Sequence, residues 1–127
     1  MQTIKKFEDL ECWKAARRLV KSVYQMSDSG KIAHEWELKN QLRRAALSIM
    51  NNLAEGFGRY GDKDSLRIYD TAKASAYEVK SMLYVLEDLE FLSPTQLLQL
   101  REQLNHTLSL TMGWIRYNAQ KSAPPKH

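Results

Sequence analysis

The sequence predicts an all-α fold, an up-and-down four-helix bundle, on three observations. Of its 127 residues, Leu and Ala supply 28 while the β-branched Val and Ile supply nine, a balance that favours helices over strands. Apolar residues recur at steps of three and four in four separate stretches, the period at which side chains return to one face of a helix. With five glycines and three prolines in all, only short polar breaks separate those stretches, and short connections make antiparallel neighbours. The length suits one domain, expected over residues 1–120 with a disordered tail at 121–127.

The first helix is expected from Leu10 to Met26, with Leu10, Trp13, Ala16, Val20 and Val23 inward and Phe7 packing over its start. Ser27-Asp28-Ser29-Gly30 should stop it, since three residues compete for the backbone and the fourth tolerates positive φ. A short turn over Lys31 to Trp36 follows. The second helix spans Glu37 to Phe57 around Leu38, Leu42, Ala45, Ile49 and Leu53, and the cluster Gly56, Gly58, Gly61 marks its end and the next turn. Asp62 or Asp64 is the expected cap of a third helix, Asp64 to Phe91, whose Tyr69, Ala72, Ala76, Val79, Leu83 and Leu86 form a heptad-like seam. Ser93-Pro94-Thr95-Gln96 reads as an N-cap serine, a first-turn proline and a capping-box glutamine. It opens a fourth helix, Pro94 to Asn118, with Leu97, Leu100, Leu104, Leu108 and Ile115 inward and Gly113 a local weakness.

Several classes of function fall away. A single cysteine, Cys12, cannot form an intramolecular disulfide, which points to a reducing, cytoplasmic address. The first ten residues lack the apolar run of a signal peptide, and no stretch approaches the ~18 apolar residues of a membrane span. A di-iron bundle needs paired Glu-x-x-His sequences, and none occurs; Glu102 with His106 and His34 with Glu37 are isolated neighbours. Gly56-Phe57-Gly58-Arg59-Tyr60-Gly61 follows a helix, so it is no phosphate-cradling loop. Cys12 near a helix start could have a lowered thiol pKa, but no partner base accompanies it. No catalytic residue, metal or cofactor is expected.

Two polar features remain. Lys14, Arg17, Arg18 and Lys21 fall within about 100° of arc on the first helix, away from its apolar face. A solvated face is the commonest meaning of such a run; a phosphate-binding stripe is the functional one. On the second helix Arg44, Ser48, Asn51, Glu55 and, if the helix persists, Arg59 form a ladder beside the core stripe. A binding groove is its functional meaning, and the structural one is that Glu55 pairs with Arg44 or Arg59 or satisfies the helix end. Partly buried, Glu55 would contribute about 1–3 kcal/mol.

The run Arg43-Arg44-Ala45-Ala46-Leu47-Ser48-Ile49-Met50-Asn51-Asn52-Leu53-Ala54-Glu55-Gly56-Phe57-Gly58-Arg59, with the opening Phe7-Glu8-Asp9-Leu10-Glu11-Cys12-Trp13-Lys14-Ala15-Ala16, resembles the bacterial four-helix bundle family, also called the 23S ribosomal RNA intervening-sequence proteins. The resemblance covers residues 7 to 118; Leu53 stands where a β-branched residue is common. Genes of that family often lie inside insertions of the large ribosomal RNA gene. Its members resemble the accessory protein of diversity-generating retroelements, a pentameric barrel of bundles that binds nucleic acid and a reverse transcriptase. The resemblance implies no enzyme activity, and it makes Arg44, Ser48, Asn52, Glu55, Gly56 and Arg59 framework or interface positions. It also implies a homo-oligomer, a pentamer, in which five chains of net +4 each would repeat the basic stripe around a ring.

Trp36, Tyr77, Met82, Tyr84, Leu98, Leu110 and Trp114 fall outside the inner seams, and Tyr77 with Tyr84 could form a second seam for self-association. The expected function is therefore a non-enzymatic oligomer that offers a basic surface to structured RNA or DNA, away from membranes. The competing reading is an adaptor for a protein partner such as a nucleic-acid enzyme.

Overall fold

A computed structural model describes residues 4–59 and 62–122. The four apolar stretches are helices: α1 at Glu11–Ser27, α2 at Trp36–Phe57, α3 at Asp62–Asp88 and α4 at Pro94–Ser122. Short 3-10 turns at Phe7–Asp9 and Lys31–His34 precede α1 and α2. Each helix packs on its predecessor, and α1 closes the bundle against α4. The antiparallel sense is pinned by cross-links between consecutive helices: Arg43 to Ser27, Ser48 to Ser75 and Arg101 to Glu87. Leu19, Val23, Leu42, Ile49, Leu53, Val79, Leu83, Leu86, Leu100 and Leu104 are buried to within 1%, each contributing roughly 1.5–3 kcal/mol of apolar burial.

The boundaries follow local chemistry. Phe7 lies edge-on to Trp13 at 5.1 Å and covers the start of α1. Leu10 is the extended residue before the helix, so α1 runs one residue later at both ends than its pattern suggests. Gly30 has φ +71°, which a side chain would strain. The capping box forms as expected: Ser93 Oγ accepts from the Gln96 N–H at 3.1 Å, and Gln96 Oε1 accepts from the Ser93 N–H at 3.0 Å.

Three expectations are corrected. The third helix ends at Asp88, short of Phe91, because the Phe91 N–H donates to the Leu86 carbonyl at 2.9 Å and the Glu90 N–H to that of Glu87 at 3.1 Å. This Schellman ending puts Glu90 at φ 56°, and with glutamate in the position glycine usually fills, nothing in the sequence announces it. Asp64 is no cap, since α3 has already begun at Asp62, and its carboxylate sits 3.4 Å from Arg67 one turn on. The glycine cluster does mark the end of α2: Gly56 is in its last turn and Gly58 caps it, while Gly61 is outside the described residues. The fourth helix continues through Lys121 and Ser122, so the expected tail does not begin at Lys121, and its remainder, 123–127, lies outside the described residues.

Among the residues left out of the seams, Trp36, Tyr77, Tyr84 and Leu98 are exposed, but Met82 is buried and Leu110 and Trp114 pack on the core. Those three belong to a wider core stripe. No described helix is long and apolar enough to cross a membrane.

Candidate nucleic-acid interface

Because Ala15, Ala16, Leu19 and Val23 turn α1 inward, Lys14, Arg17, Arg18 and Lys21 face away from the core. Lys14 reaches Glu11 at 3.4 Å and Arg17 lies over the Trp13 ring at 5.7 Å. Arg18 and Lys21 are exposed without an ion-pair partner among the described residues. The Lys14 pair is itself exposed, which makes it worth only a few tenths of a kcal/mol, so a phosphate can displace it.

Helix α4, packed on α1, carries charge of the same sign. The half of α4 after Glu102 carries Arg116 and Lys121 and no carboxylate, whereas α3 carries six carboxylates against four cations. Positive charge thus gathers on the side of the bundle built by α1 and α4.

The ladder on α2 divides into three kinds of residue. Ser48, half-buried, meets Ser75 of α3 at 2.8 Å. Ser75 spends its proton on the Thr71 carbonyl at 3.0 Å, so Ser48 is the donor between them, and Asn52 donates to Ser48 Oγ at 3.0 Å. This one-way chain ties α2 to α3. Glu55 pairs with Arg59 at 2.7 Å, not with Arg44, and both side chains are 53% exposed. Glu55→Ala should therefore cost only about 0.3–0.5 kcal/mol, below the cost of a buried carboxylate; a larger drop in the urea midpoint would contradict this. Arg44 and Asn51 are exposed.

Gly56 is the framework residue. A Cβ built there would lie 2.5 Å from Tyr69 Cε1 and 2.8 Å from Cδ1, so α2 and α3 approach closely only because it has no side chain. Its carbonyl accepts from Ser65 Oγ at 2.8 Å, which covers the end of α2. Tyr69 is 2% exposed and stands edge-on to Trp114 at 6.1 Å.

Local sequence patterns also miss Arg43. Its guanidinium donates to Ser27 Oγ at 2.8 Å and to the Tyr24 carbonyl at 3.3 Å, and it lies 4.4 Å over the Tyr24 ring. It therefore serves the C-terminal end of α1 from the next helix, a long-range arrangement that no spacing within one helix encodes. An open groove of about 560 Å3 runs beside the Arg44 and Ser48 end of the ladder, and its other borders, Trp36, Gln41 and Glu78, lie outside the pattern that the ladder gives.

Burial pushes the Cys12 thiol up to about 11, outweighing the backbone N–H groups that lower it. At neutral pH the thiol stays protonated, so Cys12 is a small buried helix residue and not an activated thiol. Among the described residues no three His, Cys, Asp or Glu side chains gather to hold a metal.

A four-helix bundle with a long cationic face, its framework fixed by a glycine contact, is the class these features define. The family model described as 23S rRNA-intervening sequence protein matches residues 8–113, and the chain belongs to that family. No curated protein matches it.

Proposed function

We propose that the protein is a non-enzymatic, cytoplasmic homo-oligomer, a pentamer, that binds structured RNA or another nucleic acid through the α1 face. The observation that carries this reading is the outward row Lys14, Arg17, Arg18 and Lys21, three of whose members lack an ion-pair partner among the described residues. The carboxylate-free half of α4 beside it and the family description, which names 23S rRNA, support it. Such cations hold a phosphate backbone without reading sequence. Repetition around a ring would let weak single contacts add through effective concentration.

Binding of a structured RNA should fall linearly with salt on a log–log plot, as released counterions require, and light scattering at micromolar protein should give several times the 14.8 kDa chain mass. A strictly monomeric species would refute the assembly. Exposed Tyr77, Tyr84 and Leu98 favour the competing adaptor reading, for instance as accessory subunit of a reverse transcriptase. Failure to retain either RNA or duplex DNA at low salt would leave that reading as the better one.

A further inference from the structure

Trp36 is 68% exposed, more than any other large apolar side chain described. It opens α2, and with Gln41, Arg44 and Ser48 of α2 and Glu78 of α3 it borders the groove between those helices. Arg44 has no ion-pair partner among the described residues, although Glu37 and Glu78 line the same groove. Its neighbour Arg43 is engaged with α1, whereas Arg44, about 100° further round the helix, stays exposed.

We propose that this groove holds a single unpaired nucleobase. The base stacks on Trp36, its amino edge donates to Glu37 or Glu78, and the flanking phosphate meets Arg44. An indole with open faces offers a stacking platform that any base can use, but bases inside a duplex are already stacked, so the platform selects looped or single-stranded nucleotides. Carboxylates accept from the exocyclic amino groups of cytosine, guanine or adenine, which uracil lacks. A tryptophan beside two carboxylates would also suit a cationic peptide; Arg44, with no ion-pair partner among the described residues, favours the nucleotide, whose flanking phosphate gives it a counter-charge that such a peptide lacks. The site rests on the nucleic-acid reading above and deepens it: the α1 face takes phosphates, and the groove adds preference for unpaired bases.

Intrinsic fluorescence tests this: Trp13 is 9% exposed and Trp114 packs on the core, but Arg17 of the α1 row lies over Trp13, so the part of the quench that Trp36→Phe removes is the part that reports on Trp36. The probes are a stem-loop RNA with a cytidine- and guanosine-containing loop, the same stem with an all-uridine loop, and the fully paired duplex. The first should quench and bind about tenfold tighter than the duplex, with the uridine loop weaker than the first. Trp36→Ala should erase the loop preference while leaving duplex affinity and its salt slope unchanged. Trp36→Phe should keep the preference without that part of the quench. Equal affinity for stem-loop and duplex, a preference that survives Trp36→Ala, or quenching by an arginine-rich peptide and not by RNA would overturn the site. Duplex binding without loop preference defeats the groove alone; binding to none of the probes defeats the nucleic-acid reading with it.

Discussion

Alanine at Gly56 is expected to destabilise the bundle by about 1–3 kcal/mol, the range for forcing an extra carbon into a packed interior. Helix propensity alone predicts the opposite sign, since Ala exceeds Gly by ~1 kcal/mol inside a helix. The contact decides, because the new Cβ would sit 2.5 Å from the Tyr69 ring. That ring has nowhere to go: Tyr69 is 2% exposed and backed by Trp114. Gly113 is the control, a glycine inside α4 whose Cβ would meet only Arg116 Nη2 at 3.8 Å. Gly113→Ala should stabilise by about 0.5–1 kcal/mol. Urea midpoints of the two variants should therefore move in opposite directions. The cost of Gly56→Ala should shrink in a Tyr69→Leu background, as a double-mutant cycle on a direct contact requires. Two shifts of the same sign would remove the steric account.

The contrast between these glycines shows where the sequence is legible. Helix existence, the apolar seams and the Ser93–Gln96 cap depend on residues within a few positions of one another, and local spacing reveals them. Gly56, Glu90 and Arg43 do not work that way. Gly56 answers to a ring on α3, Glu90 takes φ 56° because the chain must turn, and Arg43 serves the carbonyl end of α1 from α2. The family signature marks Gly56 without giving its reason. The glycine cluster rightly marks the end of α2 at Gly58, but glycine's backbone freedom and its missing side chain leave the same letter, so the steric role of Gly56 stays hidden. The basic row was visible from spacing. That three of its members lack ion-pair partners among the described residues depends on what the folded chain places around them, which one helix's sequence does not contain. The groove required two helices at once, Arg44 on α2 facing Glu78 on α3.

Replacing Arg17 and Arg18 with glutamine should weaken RNA binding by on the order of ten- to a hundredfold at ~0.1 M salt, if each guanidinium neutralises one phosphate. The same change should flatten the log–log salt slope by about 1.4 to 1.8, because each lost contact removes about 0.7 of slope on single strands and about 0.9 on duplexes. Glutamine keeps much of the side-chain length and its donors while removing the charge, so the two effects must travel together if the interaction is counterion release. Stability should barely change: both side chains are exposed, and only Arg17 has a contact, the 5.7 Å approach to Trp13. The loss should also be nearly uniform across RNA sequences, since these cations hold a backbone. In an oligomer the substitution recurs in every protomer, so avidity should fall further than a single site predicts. Filter binding of wild type and double variant to a structured RNA and a duplex DNA, each over a salt series, measures affinity and slope in one experiment. A variant that keeps both would make α1's row a solvated face and shift the function towards a protein partner; lost affinity at unchanged slope would mean that the arginines act through shape or stacking and not through phosphate charge.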